Sequence, residues 1–212
     1  AYEVLTAFFL EASFLGVMLF GWKKVGPKLH FFSTCMVAFG TLVSAFWILA
    51  ANSWMQTPQG FAFADDGTMI ATSFVDVIFN PSTPSRFMHM VLAAFLTTAM
   101  VVSGASAFAL LAKKAVAESR IALRMGILMM AIVAPLQVVV GHESGVVAHE
   151  HQPAKVAAME GWWETQAQQP TLLFGWPDEE NETTHAAIGI PGMGSWFVAG
   201  DANAELDGLK AF

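Results

Sequence analysis

The sequence predicts an all-α integral membrane protein, with four transmembrane helices of a larger bundle followed by a long external segment. The chain is 55% hydrophobic and only 13% charged, whereas charged residues make up roughly a quarter of an ordinary globular protein. Four apolar runs reach about the length of ~20 residues that a bilayer core requires. The net charge of −7 lies mostly in the C-terminal third, so nucleic-acid binding is not expected.

The apolar runs define a membrane region over residues 1–141 and an external region over residues 142–212. The four runs are residues 3–21, 31–51, 87–112 and 121–141. Two short basic loops connect the first run to the second and the third to the fourth, and a longer loop connects the second to the third. The sequence begins with Ala1 inside an apolar run and ends in a polar stretch. We therefore expect it to be an internal piece of a longer protein.

The distribution of lysine and arginine predicts the orientation of these helices. Residues 22–30 contain three lysines and no acid, and residues 113–124 contain four basic residues and one acid. Residues 52–85 contain three aspartates and no basic residue, and residues 143–212 contain eleven acidic and two basic residues. Because basic loops favour the cytoplasmic side, the first two segments are expected inside, and the other two outside.

Two carboxylates, Glu3 and Glu11, lie in the first apolar run. A charge at membrane depth costs about 2.5–3.5 kcal/mol on insertion scales, so such residues are candidates for proton transfer or cofactor binding. The alternative is a protonated carboxyl that hydrogen-bonds a neighbouring helix. Eight residues along a regular helix correspond to about 12 Å and roughly 80° of rotation. Ser44 and Thr41 on the second run could extend a hydrogen-bond chain from Glu11, or simply line a helix interface.

His89 lies near the outer end of the third run, among small and aromatic residues. A histidine in this setting is a candidate axial ligand for haem. The alternatives are a histidine at the membrane interface and a hydrogen bond between helices. The sequence around His89 does not by itself decide among them.

Three histidines and two glutamates follow the fourth run within ten residues: His142, Glu143, His149, Glu150 and His151. Zinc is commonly held by histidine and carboxylate side chains. Their spacing matches no helical metal-binding motif. We therefore expect an exposed polar loop here in preference to a zinc site.

Residues 152–165 have helical periodicity and carry Lys155 and Glu160 beside two tryptophans. A lysine, a carboxylate and aromatic rings near a membrane surface suit a ligand with a polar head and an apolar tail, such as a quinol. A solvated helix face explains the same residues equally well. Beyond Gln166, several prolines and glycines favour an irregular loop.

The chain resembles subunit I of the cytochrome bd quinol oxidases over essentially all 212 residues. The resemblance rests on six strings in the same order: GWKKVGPKLH, SAFWILAANSWMQTP, RFMHM, GHESG, QPAKVAAMEGWWET and LFGWPDEE. The string HEHQPAK is similar to the cyanide-insensitive branch of that family. The resemblance implies a quinol:oxygen oxidoreductase of the respiratory chain, in the bacterial cytoplasmic (inner) membrane. It identifies the external region with the family's periplasmic Q-loop.

The resemblance also implies haem cofactors. His89 matches the axial ligand of low-spin haem b558. Glu3 matches a glutamate at the high-spin di-haem site, where haem b595 and haem d, or a second b-type haem, reduce oxygen. The remaining ligands of these haems lie outside this chain, so the complete sites need residues from elsewhere. His142 departs from the family, which usually has aspartate at this position.

The resemblance implies proton-transfer and quinol-oxidising residues as well. Glu11 and Ser44 match a proton pathway that leads from the cytoplasm. Lys155 and Glu160 match quinol-oxidising residues of the Q-loop. The implied partners are subunit II of the oxidase, a small accessory subunit, quinol, oxygen and membrane lipid. Two other classes remain as alternatives: a di-haem electron-transfer cytochrome of the b561 type, and a proton-coupled transporter that uses Glu3 and Glu11.

Overall fold

The computed structural model describes residues 2–212, which form long helices joined by small antiparallel sheets. The α-helices are α1 Phe9–Phe20, α2 Pro27–Trp54, α3 Phe74–Ile78, α4 Thr83–Leu111, α5 Val116–His151, α6 Pro153–Glu160 and α7 Met193–Ala199. The strands are β1 Phe61–Phe63, β2 Met69–Ala71, β3 Gln166–Ala167, β4 Thr171–Asp178, β5 Thr183–Ile190 and β6 Glu205–Leu206. The chain divides into two compact units, and the division falls inside α4, between Phe87 and Met88.

Three segments of the described chain are long and apolar enough to cross a membrane: Pro27–Trp54, Phe74–Leu111 and Val116–His151. They contain the second, third and fourth predicted spans. The helix Val4–Phe20 is apolar but shorter, so the first span stays a prediction. Many of the large apolar side chains on these helices are exposed, including Phe108 and Val138. A surface of this kind matches lipid better than water.

In the first unit, a π-helical turn, Val4–Phe8, leads directly into α1, which packs against α2. The two helices approach closely at Gly40, where an added Cβ would lie 3.2 Å from the Cβ of Glu11. Small residues permit such close approach between membrane helices. The loop between the helices ends at Gly26, and Pro27 occupies the first turn of α2, where its missing N–H costs nothing.

A buried polar cluster joins the end of α2 to the start of α4 in the same unit. The Asn80 side chain is fully buried and donates to the Val77 carbonyl, while the Thr57 hydroxyl lies 2.9 Å from both Asn80 Oδ1 and Ser82 Oγ. The Arg86 guanidinium donates to Asn52 Oδ1. In the string NSWMQTP, Asn52 and Thr57 therefore stabilise the loop between α2 and α4 through these hydrogen bonds.

In the second unit, α5 approaches α4 at Gly126. A Cβ at that position has no room because the Ser103 hydroxyl and the Ala99 carbonyl occupy the space. The helix α5 continues to His151. The exposed loop expected for His142–His151 is therefore wrong, since these residues form the last turns of α5.

The C-terminal part of the second unit, residues 152–212, is built around Trp162, which packs with Val156, Ala157 and Leu206. The helix α6 ends at Gly161, whose φ of 70° lies in the left-handed region that glycine adopts without strain. The Trp162 indole N–H then donates to the Pro170 carbonyl at 2.7 Å. Gln169 is only 1% exposed, and its amide donates to the backbone carbonyls of Glu164 and Leu206.

The described chain is mostly helical, as predicted, but it is not all-α. Six strands form three two-stranded antiparallel sheets in it: β1 with β2, β3 with β6, and β4 with β5. The eight-residue strands β4 and β5 lie where an irregular loop is expected. Pro177 and Gly175 make β4 hard to predict from the sequence, because both residues are depleted in strands. The pairing of β4 with β5 shifts register around Gly175, whereas Pro177 pairs directly with Thr184.

We predict that Trp162→Ala destabilises the C-terminal part of the second unit, residues 152–212, by about 3–5 kcal/mol, the usual cost of removing a buried aromatic side chain. Trp162 is 3% exposed, whereas Trp176 on β4 is 72% exposed. Trp176→Ala is therefore the matched control and should change the free energy of unfolding by less than about 0.5 kcal/mol. Pulse proteolysis of the full-length complex in urea measures both variants. Equal sensitivity of the two variants would contradict this description of the core.

Candidate functional sites

The first unit brings the two carboxylates of the N-terminal helix against α2. The Ser44 hydroxyl donates to Glu3 Oε1 at 2.8 Å, and the Thr41 hydroxyl donates to Glu11 Oε1 at 3.2 Å. Both carboxylates are half-buried. The structure thus pairs Ser44 with Glu3, whereas the sequence analysis links Ser44 with Glu11. Thr41 is the residue that contacts Glu11.

The π-helical turn between Glu3 and Glu11 explains why both carboxylates reach the same neighbouring helix. A π turn contains about one residue more than an α turn, and one residue corresponds to roughly 100° of helical rotation. The offset of roughly 80° expected for a regular helix therefore falls to roughly 20°. Both side chains then face Thr41 and Ser44, which are themselves three residues apart on one face of α2.

The second unit places His89 of α4 against two residues of α5. The side-chain amide nitrogen of Gln137 lies 3.0 Å from His89 Nε2 and 3.3 Å from Nδ1. Gln137 Oε1 is buried and has no hydrogen-bond partner in the described chain. An added Cβ at Gly141, one turn later, would lie 3.2 Å from His89 Cε1. Glycine at position 141 therefore leaves space for the imidazole ring.

A cavity of about 500 Å³ adjoins His89 within this unit. Helices α5, α6 and α7 line it mainly with apolar groups, which include Val156, Met159, Trp162, Phe197 and Val198. His142 and Glu160 also line the cavity, and the His142 ring lies against Phe197 with a centroid separation of 6.2 Å. Burial raises the pKa of the Glu160 carboxyl above its ordinary value. An apolar pocket with a few polar groups is typical of a small-molecule site.

Lys155 lies on α6 with Glu160 but does not line this cavity. It is exposed, and its ammonium group donates to Gln152 Oε1 at 3.3 Å. Five residues of α-helix separate the two side chains by roughly 140°. The structure therefore brings Glu160, but not Lys155, to the cavity beside His89.

The described residues 2–212 contain no group of three or more His, Cys, Asp or Glu side chains that could hold a metal ion. His142, His149 and His151 point to separate surroundings instead. His151 Nδ1 lies 3.0 Å from the Val147 carbonyl, and His149 Nδ1 is buried without a partner in the described chain.

The residues around His89 fit a haem. The imidazole offers a nitrogen ligand, Gly141 provides room beside the ring, and the adjoining cavity is mainly apolar. Sequence reasoning missed Gln137, Gly141 and Phe197. A glutamine inside an otherwise apolar run was the signal for Gln137, and its position four residues before Gly141 places both on one face of α5. No local pattern marked Phe197, because only the fold brings α7 to this cavity.

Long apolar helices, two carboxylates that accept hydrogen bonds from a neighbouring helix and a histidine beside an apolar cavity together define a class: a multi-helix membrane protein with polar groups between its helices. The profile of the family "Cytochrome bd terminal oxidase subunit I" matches residues 1–212. The chain belongs to this family.

Named relatives and a solved structure agree with this assignment. The chain is 38% identical to "Cytochrome bd-II ubiquinol oxidase subunit 1" of Escherichia coli (strain K12), with 99% of this chain and 41% of the relative covered. It is 35% identical to "Cytochrome bd ubiquinol oxidase subunit 1" of Bacillus subtilis (strain 168), with 99% and 45% covered. The bd oxidase structure from Geobacillus thermodenitrificans matches with a TM-score of 0.86 and 31% identity, covering all of this chain and 49% of that one.

The chain therefore spans just under half the length of these relatives. The family assignment confirms the resemblance stated from the sequence strings. It also selects the terminal-oxidase class over the two alternatives, a b561-type cytochrome and a proton-coupled transporter.

Proposed function

We propose that this chain forms part of the catalytic subunit of a haem-containing quinol:oxygen oxidoreductase, which oxidises quinol and reduces oxygen to water. The observation that carries the proposal is the single cavity lined by both His89 and Glu160. A haem ligand and a proton acceptor beside one apolar pocket supply what quinol oxidation requires. Two relatives are named as subunits of ubiquinol oxidases, which supports the same activity.

His89 is proposed as the axial ligand of low-spin haem b558, held between Gln137 and Gly141. Glu3 is proposed to belong to the high-spin site of haem b595 and haem d, or a second b-type haem. Bound haem would supply the redox chemistry, taking electrons from quinol and delivering them to oxygen. The chain's own contribution is to hold the His89 ring in place and to exclude water around it.

Glu160 is proposed to accept a proton from quinol. Its half-buried position raises its pKa, which makes the carboxylate a better base near neutral pH. Lys155 is proposed as a second quinol-oxidising residue from the family resemblance alone, because it does not line the cavity that Glu160 lines.

Glu11 and Ser44 are proposed to conduct protons from the cytoplasm toward Glu3. The hydrogen bonds from Thr41 to Glu11 and from Ser44 to Glu3 support the proposal, because a hydroxyl can both donate and accept a proton. Within residues 2–212, no hydrogen bond joins the Thr41–Glu11 pair to the Ser44–Glu3 pair. A water molecule or a side-chain rotation would complete the path between Glu11 and Ser44.

We further propose that four helices cross the bacterial cytoplasmic (inner) membrane, with the helix Val4–Phe20 as the first. The lysines of residues 22–30 face the cytoplasm, and the Q-loop segment, residues 142–212, faces the periplasm. Subunit II and a small accessory subunit would complete the enzyme.

The haem assignment predicts that His89→Ala, in the full-length complex, abolishes the low-spin b-type signal and leaves the high-spin signals largely intact. The reason is that the imidazole is a direct ligand of one haem only. His151→Ala is the matched control, because that exposed ring contacts only its own helix. Reduced-minus-oxidised optical spectra measure both variants. An unchanged low-spin spectrum in His89→Ala would refute the assignment.

The proton path predicts that Glu11→Gln slows oxygen consumption by roughly 10²-fold or more with haem content retained, since glutamine keeps the volume but cannot ionise. Glu3→Ala should instead perturb the high-spin haem spectrum. Glu118→Gln, in the first turn of α5, is the control and should turn over normally. Normal turnover of Glu11→Gln would show that protons take another route.

The quinol site predicts a loss of roughly 10²–10⁴-fold in quinol-driven oxygen consumption for Glu160→Gln, and a strong loss for Lys155→Ala. Oxygen consumption with an artificial donor that bypasses the Q-loop should survive in both. Because burial raises the pKa of Glu160, its proton-accepting form is lost at a higher pH than for an exposed glutamate as the solution is acidified. The acidic limb of the wild-type pH–rate profile should therefore lie above the ordinary glutamate range.

That acidic limb should disappear in Glu160→Gln, where no carboxyl remains to titrate. Glu179→Gln, at the exposed turn between β4 and β5, is the matched control and should keep both the rate and the limb. If quinol-driven and artificial-donor activities fall together, Lys155 and Glu160 support the fold and do not contact quinol.

A further inference from the structure

We propose that Gln137 is a positioning residue for the haem ligand: its side-chain amide holds the His89 ring and accepts the hydrogen bond of the ring nitrogen that does not bind iron. The inference rests on the proposed function, in which His89 is an axial haem ligand. It adds a residue of α5 that tunes the electron-donating strength of this ligand.

The geometry isolates Gln137 as the partner of His89. In the described part of the chain, the hydrogen bonds of the His89 ring go to the Gln137 amide alone, at 3.0 Å from Nε2 and 3.3 Å from Nδ1. The amide thus lies beside the ring edge between the two nitrogens. On the same face of α5, Gly141 adjoins His89 Cε1. One turn of α5 therefore holds the edge of the His89 ring in two ways: Gln137 forms a hydrogen bond with it, and Gly141 leaves the space that it occupies.

The amide can act as donor or acceptor toward the ring. With the amide nitrogen nearest the ring, Gln137 donates, and the receiving ring nitrogen must be unprotonated. Iron binds one unprotonated ring nitrogen, so the other nitrogen carries the proton and needs an acceptor. Turning the amide about its last bond exchanges the positions of its nitrogen and its oxygen, so that Oε1 faces the ring. Gln137 Oε1, buried and without a partner in the described chain, is then the acceptor.

A hydrogen bond to the outer nitrogen of an iron-bound histidine fixes the ring orientation and raises the basicity of the ligand. A more basic ligand favours the oxidised iron, which carries the higher charge. The Gln137 contact therefore lowers the midpoint potential of the low-spin haem relative to an enzyme that lacks it. Glutamate at position 137 would be a stronger acceptor and would lower the potential further.

The test is a reductive titration of the low-spin haem in the full-length complex. Gln137→Leu removes the acceptor at similar volume and should shift the midpoint potential upward. Gln137→Glu strengthens the acceptor and should shift it downward. Val139→Ala, at an exposed position of the same turn, is the control and should titrate like wild type. Opposite shifts in the two variants would support the inference, whereas unchanged potentials or shifts in the same direction would overturn it.

The outcome separates this inference from the proposed function. If His89→Ala loses the low-spin signal while both Gln137 variants titrate like wild type, His89 is a ligand and Gln137 does not tune it. If His89→Ala keeps the low-spin signal, the proposed haem ligand is wrong and the inference falls with it. If Gln137→Leu does not retain haem, Gln137→Glu decides: a lower potential supports the inference, and an unchanged or higher one overturns it.

Discussion

The structure depends on one constraint: a polar side chain on an apolar helix must find its partner within the protein, because lipid offers none. Glu3 meets Ser44, Glu11 meets Thr41, and His89 meets a glutamine of α5. Each pair joins a helix to a neighbour at a defined register. The groups that carry the proposed chemistry are therefore also the groups that fix the helix packing within each unit.

These short contacts require helices that approach closely, and glycine makes the approach possible. Gly40 allows α2 to lie against the backbone of Glu11, and Gly126 allows α5 to lie against α4. Gly141 leaves space for the His89 ring in the same way. Apolar packing between membrane helices is weak because lipid is equally apolar, so small residues and interhelical hydrogen bonds decide where helices meet. The distances between the groups of the proposed sites therefore depend on these glycines.

The C-terminal part of the second unit, residues 152–212, is packed instead like a small water-soluble protein, around a buried core. Trp162 anchors a small core, and the nearly fully buried Gln169 satisfies carbonyls of two separate segments. This scaffold holds α6 so that Glu160 lines the cavity beside His89. The burial that results raises the pKa of Glu160. The fold thus gives Glu160, already a candidate from the sequence, the raised pKa that suits its proposed role as a base.

The sequence by itself determined the apolar helices, the family and the residue types of the candidate sites. The helices could be predicted because their length and apolar composition are local properties that must match the thickness of the bilayer core. Tertiary structure decided which groups meet. The π turn rotates Glu3 onto the face of Glu11, the continuation of α5 carries His142 to the cavity, and the strands β4 and β5 pair despite Pro177. The contacts that result, such as Ser44 with Glu3 and His142 with Phe197, join residues far apart in the chain, and no local stretch of sequence contains their energies.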